Sequence, residues 1–236
     1  MPTLIAFDTS SDIASVSLMV RGQLVQTDHS RGVTTHSRAI LPMIQSLLDK
    51  AGIRLGECDA IAFGCGPGSF TGVRTACGVA QGLAFGIDVP VIPVVSLLAM
   101  AEACRLEKQK TSVLSVLDAR MREVYWAGYS YEEEGGWKTV VEPQVSPPSD
   151  VFSSGQTVAC GNGLIAYHEA FASLVVDAQF PGIMPDSQAI ASIAKMAFRR
   201  GDVLSPRDAH PLYLRNKVAY TTEERQNLKA GANHSC

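Results

Sequence analysis

The sequence predicts an α/β protein in which two similar lobes each hold a mixed β-sheet covered by helices. Three observations carry this. Apolar or alternating segments joined by tight turns open the chain between Leu4 and Thr27. Strand and helix patterns then alternate as far as Arg105. An apolar strand ending in aspartate, followed by two more strands, restarts the same order at Val113. Hairpins followed by alternating strands and helices give a mixed sheet with helices on its faces.

Leu4–Phe7 is an apolar run closed by Asp8-Thr9-Ser10-Ser11, which is turn chemistry. Ala14–Val20 alternates as a strand, Arg21-Gly22 turns the chain, and Gln23–Thr27 returns. Ile40, Leu41, Ile44, Leu47, Leu48 and Ala51 recur at helical spacing, which predicts a helix over His36–Ala51 with Gly52 as its stop. Pro42 falls inside that pattern, so a kink in the first turn or a later start is expected. Ala60–Gly64 is a short strand, Phe70–Phe85 a second helix, Val89–Val95 a strand and Leu97–Arg105 a helix. In the second half, strands are expected at Val113–Leu117, Val124–Tyr129, Lys138–Val141 and Val158–Cys160. Helices are expected from Leu164 and over Ala189–Arg200. Asp8 and Asp118 occupy matching places after the first strand of each meander, a weak internal repeat.

Composition narrows the function. Hydrophobic residues make up 46% and charged residues 18%, with a net charge of −3, which is globular and carries no basic footprint for nucleic acid. None of the 6 cysteines forms a C-x-x-C pair, so they read as small buried hydrophobes in a reducing compartment. Thr3–Phe7 is too short for a signal peptide, and Val89–Met100, with Pro90 and Pro93, is too short to span a bilayer. A cytoplasmic protein away from membranes is expected.

The densest local feature is Gly64-Cys65-Gly66-Pro67-Gly68-Ser69-Phe70-Thr71-Gly72, leading into a helix. Such a loop can cradle an anion, with Ser69 or Thr71 as the helix cap. No lysine stands where a Walker loop requires one, and the dinucleotide pattern breaks at Thr71, so the residues favour a tight strand-to-helix turn. Asp8 and Asp118 could hold Mg²⁺ between the lobes, but neither is followed by a glycine-rich phosphate turn, and turn capping is the favoured reading. Asp8, Thr9, Ser10, Gly66, Gly68, Ser69 and Asp118 therefore stand as vestigial nucleotide or phosphate loops, with weak nucleotide binding the most they suggest. The histidines are scattered, with no H-x-x-x-H pair, and no G-x-S-x-G elbow occurs, so neither a metal nor a nucleophile is expected. In the second helix, Gly78 and Gly82 share a face. Each glycine costs about 1 kcal/mol relative to alanine, and close packing must offset that, either on the chain's own sheet or across a subunit contact.

Ile5–Ser10, Thr35-His36-Ser37 with Leu41-Pro42, Gly66–Arg74, Leu117–Arg120 with Glu123-Val124-Tyr125, and Tyr213-Leu214-Arg215 together resemble the TsaB (YeaZ) family over nearly the whole chain. The G-P-G-S-F-T-G-V-R stretch is the specific part. The resemblance implies two ribonuclease-H-like lobes of the actin, Hsp70 and sugar-kinase type. On it, residues 1–105 form the N-terminal, partner-binding lobe, 106–220 the second lobe, and 221–236 a polar tail expected to fray. It also implies a role in N6-threonylcarbamoyladenosine formation next to the tRNA anticodon. The family's member there is a non-catalytic partner of the transferase TsaD, working with the ATPase TsaE. The catalytic relative carries an H-x-x-x-H metal pair after the strand matching Val89–Val95, where this chain has Ser96 and Met100. Contact with TsaD is implied through the two N-terminal-lobe helices, placing Ile40, Leu41, Ile44, Leu47, Leu48, Val73, Gly78 and Gly82 on that interface. Use of the same face twice would give a homodimer, and tRNA would be reached only through the complex. The alternative is an ATP-dependent phosphotransferase of the same fold.

Overall fold

β1 (Leu4–Asp8) alternates between two cores, Leu4 and Ala6 facing one and Ile5 and Phe7 the other. A strand buried on both faces belongs inside a sheet. β1 lies at the centre of the order β3-β2-β1-β4-β5, antiparallel to β2 (Ile13–Val20) and parallel to β4 (Ala60–Gly66). β3 (Gln23–Arg31) and β5 (Val91–Val95) form the edges. The structure, a computed structural model, describes residues 1–31, 36–153 and 157–215. Thr35 and the 221–236 tail lie outside those residues.

The second sheet repeats the first. Its order is β10-β9-β6-β7-β8, where β6 (Ser112–Asp118) takes the place of β1. β7 (Val124–Glu132) and β8 (Gly136–Ser146) complete the antiparallel meander. β9 (Val158–Cys160) and β10 (Ala178–Phe180) run parallel to β6. The repeat that the sequence shows only as element order is thus a shared strand order with Asp8 and Asp118 at equivalent strand ends.

The helices make layers. α1 (His36–Ala51) and α2 (Phe70–Ile87) cover the outer face of the first sheet, burying Ile40, Ile44, Leu47, Ala76 and Ala80 against Ile5, Phe7 and Phe63. α3 (Ser96–Lys108) and α6 (Ser187–Arg200) lie between the sheets, in one core shared by Leu4 and Ala6 on one side and Val113 and Leu117 on the other. Small residues (Ala99, Ala101, Ala103, Ala191, Ala194) let both sheets approach these helices. Asp186 caps α6 by accepting from the Gln188 N–H at 2.7 Å, and Ser187 hydrogen-bonds Ser15 and Ser17 of β2. Buried Glu102 accepts from Arg105, Trp137 and Ser192 at 2.6–2.9 Å, tying α3 to β8 and α6. Among the described residues, the α-helices on the outer face of the second sheet are α4 (Gly163–Ala166) and α5 (His168–Phe171), two single turns where one helix was expected.

β3 extends beyond Thr27 to Arg31. β8 continues past Val141 through Pro143, which an edge strand tolerates because its outer N–H groups need no partner. Pro42 sits within α1 on its exposed side, and α1 keeps the span expected of it. Among the described residues, no helix is long and apolar enough to cross a membrane.

Candidate functional site

β4 delivers the chain into the glycine loop, and the loop folds onto its own neighbour. The Ser69 N–H donates to the Ser10 carbonyl at 2.7 Å, and the Thr9 hydroxyl donates to the Gly72 carbonyl at 2.6 Å. Ser69 Oγ caps α2 by accepting from the Gly72 N–H at 3.4 Å. A Cβ on Gly68 or Gly72 would overlap the backbone of Ser10 or Thr9. One on Gly66, at φ +111°, would press on the Leu212 carbonyl. The space that these glycines leave is filled by the chain's own backbone, as the tight-turn reading requires.

Asp8 is fully buried and accepts from Ser10 through N–H at 2.8 Å and through Oγ at 2.8 and 3.0 Å. Burial raises its pKa from 3.8 to about 6, the Ser10 hydrogen bonds pulling the other way and Asp186 adding to the rise. Asp118 accepts from the Arg120 N–H at 2.8 Å and the Tyr167 hydroxyl at 3.1 Å, and pairs with the Arg120 guanidinium at 3.2 Å. Its own N–H donates to Asn162 at 2.9 Å. Asp8 is thus held by its own turn, and Asp118 by its own turn together with Asn162 and Tyr167. Between them opens a cleft of about 410 Å³ lined by Ser10, Ser69, Asp118, Asn162, Tyr213 and Arg215 among others. Asp8 does not line it.

Ser96 and Met100 are buried, Ser96 donating to Ser10 Oγ at 3.2 Å and Met100 packing in the central core. Among the described residues, no three His, Cys, Asp or Glu side chains gather closely enough to hold a metal ion. The described cysteines are free and buried, and burial pushes the Cys65 thiol up to about 12.

The helix faces need correction. Ile40, Ile44, Leu47, Leu48 and Val73, expected on a partner surface, are at most 4% exposed and belong to the chain's own core. α1 packs on the sheet and against α2, and that two-sided contact buries the wide apolar arc. Leu41 alone of the large residues expected there faces out, at 48%. Gly78 and Gly82 are exposed, and a Cβ at either would meet no atom within 4 Å. The own-sheet explanation for these glycines therefore fails. They form an outward stripe with Thr71, Arg74 and Phe85, the last 66% exposed. At its upper end the Arg74 guanidinium lies 3.5 Å over the Phe70 ring and donates to the Tyr213 hydroxyl at 2.7 Å.

Two features escaped the sequence. Arg120, Met121 and Arg122 are all left-handed, at φ 60°, 57° and 61°, and nothing in the preferences of arginine or methionine signals it. The segment Ala209–Arg215 binds both lobes; Tyr213-Leu214-Arg215 stands out in the sequence, but only as a motif.

Two repeated sheets with helices between them and a cleft at the aspartate-bearing strand ends define a two-lobed protein of the actin and Hsp70 class. Component A of the (R)-2-hydroxyglutaryl-CoA dehydratase of Acidaminococcus fermentans matches with TM-score 0.50 at 9% identity, over 86% of this chain and all of that one, a likeness of fold. YeaZ from Pseudomonas aeruginosa matches with TM-score 0.85 at 36% identity, over 91% of this chain and all of that one. The family model described as TsaD, tRNA N6-adenosine threonylcarbamoyltransferase, matches residues 28–205. The tRNA threonylcarbamoyladenosine biosynthesis protein TsaB of Haemophilus influenzae is 36% identical over 228 residues, 92% of this chain and 95% of that one. Its Escherichia coli namesake is 36% identical over 223 residues, 92% of this chain and 96% of that one. The chain belongs to the TsaB (YeaZ) family.

Proposed function

We propose that this chain serves tRNA threonylcarbamoyladenosine biosynthesis as a non-catalytic subunit that seats the transferase TsaD on the outward face of α2, with TsaE joining the pair. One observation carries the reading: Gly78 and Gly82 give α2 a bare, close-approach face that nothing among the described residues covers. Glycine in a helix interior is unfavourable, and a partner helix packed at short range offsets the cost. Two further features support it. Asp8 and Asp118 are engaged by hydrogen bonds from the chain itself, and Ser96 and Met100 stand where the resemblance places the catalytic relative's metal-binding histidines. With a net charge of −3, the chain reaches tRNA only through the complex.

The test is reconstitution. Purified protein given tRNA and threonylcarbamoyl-adenylate forms no modified adenosine, and adding TsaD and TsaE with ATP restores formation. Turnover by the lone chain at the rate of the full set would overturn the non-catalytic reading. Micromolar nucleotide binding with phosphate release by the lone chain would favour the phosphotransferase alternative.

A further inference from the structure

We infer that the segment Ala209–Arg215 is a latch that couples the two lobes, so that loosening its hold on α2 loosens the β6–β7 loop at the far side of the cleft. The segment is fixed to the first lobe along its length. Gln81 Nε2 donates to the Pro206 and Ala209 carbonyls, both at 3.1 Å, and Cys77 Sγ donates to the Ala209 carbonyl at 3.5 Å. The Leu212 N–H donates to the Cys65 carbonyl at 2.7 Å, and Tyr213 accepts from Arg74. Two residues on, Arg215 reaches the second lobe. Its guanidinium pairs with Glu123, donates to the Arg120 carbonyl at 3.4 Å and contacts Met121 Sδ at 3.4 Å.

What Arg215 grips is strained. Arg120, Met121 and Arg122 form three consecutive left-handed residues, none of them glycine. Each left-handed residue is unfavourable in a chain of L-amino acids, and such strain persists only where the surroundings over-determine it. The local hold comes from the Ala119 N–H to the Glu123 carbonyl at 3.0 Å, the Glu123 N–H to the Arg120 carbonyl at 3.1 Å, and Asp118. Tyr167, also outside the sheet, bonds Asp118; Arg215 brings the hold that comes from the segment anchored on α2, and Arg120, Met121 and Arg215 all line the cleft. Removing it lets a strained loop relax, and the cleft wall moves with it. Because Arg215 is placed by the Leu212 and Tyr213 anchors, the α2 end and the loop end release together.

Amide hydrogen exchange on the full chain decides this, read at Leu212 and at Ala119, Arg120 and Glu123. Arg215→Ala speeds exchange at the loop amides and at Leu212 by about tenfold, while the β1 and β4 amides keep their protection. Tyr213→Phe removes the bond from Arg74 but keeps the ring, and it too speeds exchange at Ala119, Arg120 and Glu123. If Tyr213→Phe changes exchange at Leu212 alone, the ends are independent and the latch is refuted. If Arg215→Ala raises exchange uniformly with a collapsed melt, Arg215 serves global stability and the proposal fails.

Discussion

The two sheets share one strand order but not one covering. The first presents its outer face to α1 and α2, of 16 and 18 residues; among the described residues, the second meets two four-residue helices there. Each sheet needs its outer face shielded, and the short pieces achieve this by packing Leu164 and Phe171 in one cluster with Trp126 of β7. The long α2 does more, since one face of it is turned to solvent and carries glycine where a merely shielding helix would carry alanine. The repeat builds the frame, and the difference in helical cover marks the lobe with a surface to spare.

The largest expected effect tests the shared frame. Gly72→Ala drives a Cβ into the Thr9 carbonyl, and Gly161→Ala, at φ +112°, drives one into the Val116 carbonyl. Because rigid backbone is met in both lobes, each substitution should cost about 3 kcal/mol and lower the melting temperature by roughly 6–12 °C. A harmless change in one lobe and a severe one in the other, by calorimetry, would break the equivalence of the two loops.

Glu102 tests the layer common to both sheets. Glu102→Ala strips Arg105, Trp137 and Ser192 of a buried acceptor and should cost about 2–3 kcal/mol in urea denaturation. No change in the midpoint would mean that the network contributes nothing to joining α3, α6 and β8.

Asp8 should make stability depend on pH. Asp8 ionises less readily folded than unfolded, so its charge works against the fold: its unfavourable contribution sets in as pH rises from about 4 to about 6 and is constant above. Asp8→Asn should therefore gain stability over wild type through that window, reaching about 3 kcal/mol at pH 7.5. Denaturation midpoints at pH 4, 5, 6 and 7.5 check this, and a constant difference would show that Asp8 titrates normally.

Much of this frame was legible in the sequence because it rests on period-two alternation and helical spacing, as in β1, β2 and α1. β10 was not, since Ala178-Gln179-Phe180 is too short to show a period, and β8 was cut at Pro143 because only its edge position excuses a proline. The family resemblance implied a partner surface on the apolar residues of α1, but a helix touching both a sheet and a second helix buries a wider arc than one face. The glycines of α2 were visible, and their spacing alone left both explanations standing. Only their placement on the open side decides between them.

Gly82→Leu tests that placement most directly. Leucine is the better helix former and its Cβ meets no described atom within 4 Å at this exposed position, so the variant should be more stable by roughly 1 kcal/mol. The same side chain should block close approach by a partner. Sedimentation velocity of wild type and Gly82→Leu, each mixed with TsaD, should show a complex only for wild type, beside a melt in which the variant is no less stable. Equal complex formation by both would contradict the account and move the partner surface away from α2.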